Sequence, residues 1–340
     1  MKNTALFRQG MLAILVLGWL SACTATGQPV AEVETPRPVT LQLLWFPQAQ
    51  FAGYYVALDK GWYTEEGLDV TIRPGGPDIS PVTAVGGGTA DFGVAMLSDL
   101  TVAIQQGQSL ISIAQIQQKN GLLLLAFRDS GIQEPADFVG KRVGVWLGSW
   151  EAQFRALMAQ QGIASDQYTL VSQGFSMDTF LSRELDVASA MIYNEYHTVL
   201  ESGVAANDLN VIDYADYGLD FPGDTLFTSR ALVEQDPDLC VRMVRASLRG
   251  WEYAIANPEE AAEVVLKYDL SGMQTLEHQL AMMREISLLV KVSEIRPVGY
   301  TDRADVLRVV DTLQRYGVLE AAVPPEEVYT NAIWEAATSK

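Results

Sequence analysis

The sequence predicts an α/β fold in two lobes, and three observations carry that reading. Strand–loop–helix units recur, with aromatic and polar residues gathered in the loop: Leu43 to Val70, then Lys141 to Gln161, then Asp186 to His197. The chain has 340 residues and is 49% hydrophobic, which gives a sizeable core and more length than one lobe uses. From Arg230 onward the apolar spacing turns helical.

Taken in order, Thr40 to Trp45 reads as a buried strand that stops before Pro47, because proline cannot continue a ladder. The loop that follows carries Gln48, Gln50 and Phe51, and a helix with Tyr54, Tyr55 and Leu58 ends at Gly61. In open α/β sheets ligands sit outside the carboxyl ends of the strands, so Trp45 and this loop form a candidate wall for a flat molecule with polar edges. Leu68 to Ile72 alternates as the next strand, and Ser80 to Val85 is a short helix. Gly86-Gly87-Gly88 lacks a following Gly-Lys-Ser/Thr and leads into a strand, so it is a helix stop and not a phosphate loop. Met96 follows that strand, and Ser98 or Asp99 is placed to cap a helix running to Gly107.

Leu110 to Gln117 and Gly121 to Arg128 read as strands, the second buried on both faces as a parallel strand would be. Lys141 to Trp146 repeats the opening logic, with Trp150 and Glu151 at the start of a helix over 152–161. Thr169 to Ser172 is a strand, Met177 sits in a loop before a short helix, and Asp186 to Ile192 is a strand ending in Tyr193-Asn194-Glu195. Tyr193 offers a stacking face and a hydroxyl, Asn194 a donor and an acceptor, and Glu195 an acceptor; Glu195 equally suits a helix first turn. Asn210 to Tyr214 and Asp224 to Ser229 read as returning strands. Helices are expected over 237–256, 258–268, 274–288, 303–316 and 325–338. Tyr54 and Trp251 are expected in cores.

The phrase GYYVALDKGWYTEEGLDV resembles the opening motif of a periplasmic-binding-protein-like family. That family includes thiamine-pyrimidine, sulfonate and riboflavin binding proteins of ABC importers. ADFGV and AMIYNEY resemble other phrases of it, so the likeness spans roughly Leu41 to Ser229. It implies a type II periplasmic binding protein, each lobe a mixed sheet flanked by helices, with a cleft that closes over ligand. Lobe 1 is expected over 39–128 plus 230–340 and lobe 2 over 129–229. The implied function is solute capture for an ABC permease by a monomer that carries no cofactor. The ligand set implied is Trp45, Gln48, Gln50, Phe51, Met96, Trp146, Trp150, Glu151, Met177, Tyr193, Asn194 and Glu195.

Thiamine-pyrimidine binders of that family show an Asp before the tryptophan and an Asn…Asn-His after the proline. This chain has Leu44, Gln48, Gln50 and Phe51 there. Aromatic area with neutral amides suits a larger ring with carbonyl edges, so riboflavin is the expected cargo and a thiamine pyrimidine precursor the alternative. A sulfonate ranks third, since these loops hold no Arg or Lys. A ligand-sensing lipoprotein uncoupled from transport is a further alternative.

Lys2, Arg8 and the apolar run Met11 to Leu20 form a signal segment over 1–22. Leu20-Ser21-Ala22-Cys23 resembles a bacterial lipobox, which implies a lipid on Cys23 and an extracytoplasmic protein anchored to the cell membrane. Residues 23–38, with prolines at 29, 36 and 38, read as a tether. Cys240 would then be the one remaining thiol, leaving no internal disulfide.

The net charge of −19 argues against nucleic acid, for there is no basic stripe to neutralise phosphates. The two histidines, 197 and 278, fall in different regions, no His/Cys spacing suggests a metal, and no Ser, His and acid set marks a catalyst. The pyrimidine-making branch of the family carries a cysteine-rich iron motif that this chain lacks. The expectation is a binding protein and not an enzyme.

Overall fold

A computed structural model describes residues 35–339 except Pro77, Gly148, Ser149, Phe175, Met273 and Glu294. The signal segment, Cys23 and all but the end of the tether lie outside the described residues.

Two five-stranded sheets organise the chain. The first joins β1 (Arg37–Gln42), β2 (Leu68–Arg73), β3 (Phe92–Met96), β4 (Leu110–Gln115) and β10 (Asp224–Ser229) in the order β2-β1-β3-β10-β4. The second joins β5 (Leu122–Phe127), β6 (Arg142–Val145), β7 (Thr169–Ser172), β8 (Val187–Met191) and β9 (Leu209–Asp213) in the order β7-β6-β8-β5-β9. Each has the same plan: three parallel strands, then a fourth that runs antiparallel to both its neighbours. Helices of seven residues or more are α1 (Ala52–Asp59), α2 (Leu97–Gln105), α3 (Glu151–Gln160), α4 (Glu195–Glu201), α5 (Pro237–Ala256), α6 (Pro258–Tyr268), α7 (Leu276–Val290), α8 (Arg303–Arg315) and α9 (Ala332–Thr338).

The fourth strand of each sheet corrects the expected boundaries. β5, read with the first lobe, pairs with β8 and β9 in the second sheet; β10, read with the second lobe, pairs with β3 and β4 in the first. The chain therefore crosses between lobes at 116–121 and 214–223, and not near 129 and 230. β5 is buried along its whole length, as expected, yet antiparallel to both partners. Burial on two faces reports the layers that cover a strand and carries no information about its direction. The last expected helix is also broken, into Pro325–Val328 and α9, where Tyr329 forms a bridge to Ser112 of β4.

β1 ends at Gln42, three residues before the expected end, and the chain bends through Leu43 to Phe46 against the 73–76 turn. Trp45 O accepts from Gly75 N at 2.8 Å, and a Cβ on Gly75 would lie 2.3 Å from the Leu44 carbonyl carbon. That close approach needs glycine, and it fixes where Trp45 leaves the sheet. The next element, α1, packs on α5 with equal closeness, since a Cβ on Gly250 would sit 2.0 Å from Gly53 O. A methyl forced into such a contact costs about 1–3 kcal/mol. Tyr54 and Trp251 meet edge-on in this same interface, 5.7 Å apart and buried.

One large apolar core runs through both lobes, and a smaller one around Leu125, Phe127 and Phe180 lies within the second. Among the described residues no helix is long and apolar enough to cross a membrane.

Candidate ligand-binding cleft

The cleft is built from the loops that follow β1, β6 and β8. From the first lobe comes Trp45, then Gln48, which precedes a 3-10 turn at Ala49–Phe51. Gln48 Nε2 donates to Gln50 Oε1 at 2.7 Å, and Gln50 Nε2 donates to Asp224 Oδ2 at 2.7 Å. Gln117 Nε2 reaches the same carboxylate oxygen at 3.2 Å, and Ala49 N donates to Gln279 Oε1 at 2.6 Å. These amides hold the loop in one conformation from beneath.

From the second lobe, Trp146 leaves β6 and donates its Nε1 to Gly174 O at 2.9 Å. Trp150 precedes α3, its backbone N donating to Trp146 O at 3.2 Å. Beyond β8, the Glu195 carboxylate accepts from Met191 N at 2.9 Å and from Asn194 Nδ2 at 2.7 Å. This closes a tight turn that presents Tyr193 and Asn194.

The two walls touch. The Trp45 ring lies 6.1 Å from Trp146 and 5.4 Å from Trp150, both edge-on, and Trp146 lies 5.2 Å from Trp150. Asn194 Nδ2 approaches Gln48 Oε1 at 3.4 Å across the gap. His278 of α7 holds the second lobe through Asn194 Oδ1 at 2.8 Å and Glu201 Oε1 at 3.0 Å. Trp45, Gln48, Gln50, Trp146, Trp150, Met191, Tyr193, Asn194 and Glu195 enclose a cavity of about 10 Å³, near the room that one water needs. The cleft is closed, its indoles packed on one another. A larger surface cavity of about 670 Å³ lies by Gln118, Lys119, Arg296 and Arg308. Its arginines are already paired with Asp302 and Asp305, so the convergence of aromatic and amide groups marks the cleft as the better site.

Two buried carboxylates sit in or behind the cleft without a Lys or Arg partner among the described residues. Burial pushes Glu195 up to about 7, against the pull of the Met191 amide and Asn194. Burial likewise raises Asp224 to about 7, opposed by the Gln50 amide. Asp224 Oδ1 and Trp150 Nε1 are buried with no hydrogen-bond partner among the described residues.

Of the residues singled out in the sequence, Trp45, Gln48, Gln50, Trp146, Trp150, Tyr193, Asn194 and Glu195 line this one cavity. Met177 lines an outer groove continuous with it. Phe51 and Met96 do not reach either space: they are 0% and 1% exposed and belong to the apolar core. Glu151 begins α3 outside the cavity, close enough to Asp99 to raise that carboxyl further, after burial itself. Neither Ser98 nor Asp99 caps α2, whose first flanking residue is Met96. Asp99 instead accepts from the Ala152 backbone in the other lobe. Sequence reasoning missed Met191, Gln117, Asp224, Gln279 and His278. Asp224, an acid opening an otherwise buried strand, was the available signal.

Comparison with known proteins fits this geometry. The model of the NMT1/THI5 like family matches residues 48–261. The chain belongs to the NMT1/THI5-like family. The chain is 28% identical to the riboflavin-binding protein RibY of Chloroflexus aurantiacus, covering 95% of each chain. It is 26% identical to the formylaminopyrimidine-binding protein of Halalkalibacterium halodurans, over 94% of this chain and 96% of that one. A 4-amino-5-hydroxymethyl-2-methylpyrimidine phosphate synthase of Legionella pneumophila is 29% identical, over 67% of this chain and 72% of that one. Among solved structures, the alkanesulfonate-binding protein SsuA of Xanthomonas axonopodis pv. citri, bound to MOPS, superposes with a TM-score of 0.66 at 14% identity. It covers 87% of this chain and 99% of its own. The fold of this NMT1/THI5-like protein is that of the periplasmic binding proteins.

The raised carboxyls of Glu195 and Asp224 contribute a pH dependence. The folded protein keeps protons here that the unfolded chain has released, so stability falls as pH rises from about 4 to about 7. Thermal unfolding across that range should show a decline that is shallower in Glu195→Gln and Asp224→Asn. Parallel profiles for parent and variants would contradict the assignment.

Proposed function

We propose that this NMT1/THI5-like protein captures a planar heterocyclic vitamin between its lobes and delivers it to an ABC permease, with riboflavin as the cargo. The observation that carries the proposal is the set of three indoles, contributed by both lobes and rimmed by the amides of Gln48 and Asn194. Stacking faces with neutral amide edges match a tricyclic ring that has carbonyl and ring N–H groups. The likeness to RibY over nearly the whole chain supports the same reading.

A thiamine pyrimidine precursor is the second reading, and one observation favours it. Glu195 is buried, raised to about 7 and unpaired with any cation among the described residues, which suits a protonatable aminopyrimidine. The formylaminopyrimidine-binding relative points the same way. We propose no catalysis: a pyrimidine synthase is among the sequence relatives, but Cys240 is buried and burial pushes its thiol up to about 12, unlike a reactive or metal-binding cysteine.

Binding on this account needs the lobes to part, because a cavity of about 10 Å³ admits no ring. The segments 116–121 and 214–223 are the two chain crossings at which such a motion would bend, and ligand would replace the indole–indole contacts on closure. We further propose that the protein works as a monomer, held outside the cell membrane by a lipid on Cys23. Membrane release of Cys23→Ser tests that anchor, and retention of the variant would refute it.

Titration with riboflavin should quench flavin fluorescence, as a stacked indole does. Trp146→Ala and Trp150→Ala should each weaken binding by about 1–3 kcal/mol, the range for base-stacking aromatics, or roughly five- to 150-fold in Kd. No flavin quenching, with calorimetric binding of an aminomethyl-pyrimidine, would transfer the assignment to the second reading.

A further inference from the structure

Outward from the indoles the cleft opens into a groove of about 480 Å³. Trp45, Gln48 and Asn194 line both spaces, so a ring seated among the indoles would project its substituent into the groove. The groove draws on both lobes. Phe46, Pro47 and Pro74 of the first face Met177 and Leu181 of the second, which gives it an apolar floor. Thr198 and Gln274 add hydrogen-bonding groups.

Its charged side chains are mostly acidic. Asp178, Glu201 and Asp269 line it, and among its described lining residues there is no Lys or Arg. The one base, His278, is engaged by Glu201 at 3.0 Å and Asn194 at 2.8 Å. Because Asn194 Nδ2 donates to Glu195, its Oδ1 is the acceptor facing the ring, and His278 Nε2 spends its proton there. No Lys or Arg among its described lining residues offsets the charge of a phosphate, and the net charge of −19 adds to the repulsion.

We propose that the groove seats the substituent of the bound ring, and that its acids select a neutral hydroxylated or cationic substituent against the corresponding phosphate ester. The inference rests on the proposed capture of a ring in the cleft. It adds the chemical class: the free vitamin or precursor, and not its phosphorylated form. A carboxylate within a Debye length of a bound phosphate, about 10 Å at 0.1 M salt, acts on it directly, and added salt weakens that action.

The test compares riboflavin with riboflavin 5′-phosphate by fluorescence quenching on the purified protein across a salt series. At low ionic strength riboflavin should bind at least about tenfold more tightly, and the gap should narrow as salt is raised. Asp178→Lys should reduce the ratio several-fold. Misfolding would weaken both flavins together, so the variant is read only if it melts as the parent does; otherwise the parental salt series decides. Equal or tighter binding of the phosphate ester, or a gap indifferent to salt, would overturn the selection while leaving the cargo reading in place. Failure of riboflavin itself to bind would sink the cargo reading. The selection would then be decided by hydroxymethyl-pyrimidine against its phosphate, where equal affinities overturn it and absence of binding by both overturns the subsite.

Discussion

The contact of Trp45 with Trp146 and Trp150 is the interaction on which the arrangement of the two lobes turns. Each indole stands just past the carboxyl end of a strand, or at the helix start that follows it, where α/β sheets leave room for ligands. Much of the surrounding structure serves to place these rings. Gly75 lets the 43–46 bend lie against its neighbour, and Gly53 with Gly250 brings α5 onto α1 directly behind the loop. The Trp146 indole N–H is tied to Gly174 O. Buried indoles gain from apolar burial and from their edge-on geometry, which joins the two walls of the cleft.

Polar groups behind the aromatic surface follow a different logic. Gln48, Gln50, Gln117 and Asp224 form a buried chain in which each amide has a named partner. Such networks fix side-chain orientation, because an unmade bond in a low-dielectric setting is costly. The chain ends at Asp224, whose Oδ1 is left without a partner among the described residues, as is the Trp150 indole N–H in the cavity wall. Glu195 is similar in kind, a buried acid held by amides and, among the described residues, by no cation. A site that keeps unsatisfied polar groups in reserve at its closed interface has hydrogen-bonding capacity to offer a ligand, at some cost to its own stability.

Much of the fold was legible in the sequence because its signals are local. Apolar runs ending in polar-aromatic loops located the strands. The same loops supplied Trp45, Trp146, Trp150 and Tyr193, which meet in one cavity. What failed was non-local. β5 and β10 read correctly as strands, but the sheet each joins depends on partners far along the chain. Phe51 and Met96 lie in the expected segments, yet their side chains turn into the core, and no periodicity in a short loop fixes such a direction. Asp224 is 174 residues from the Gln50 it receives, and His278 is 84 from Asn194. Single-residue reading cannot see such pairs. The first loop lacks a carboxylate, but Glu195 of α4 lines the cavity and Asp224 of β10 stands behind that loop through Gln50.

A structure of the protein soaked or grown with riboflavin tests the central claim most directly. The account predicts the ring between Trp45 and the Trp146–Trp150 pair, with Gln48 and Asn194 on its polar edges and the lobes parted to admit it. A ring bound instead in the cavity of about 670 Å³ beside Arg296 and Arg308, with the three indoles still in mutual contact, would contradict it.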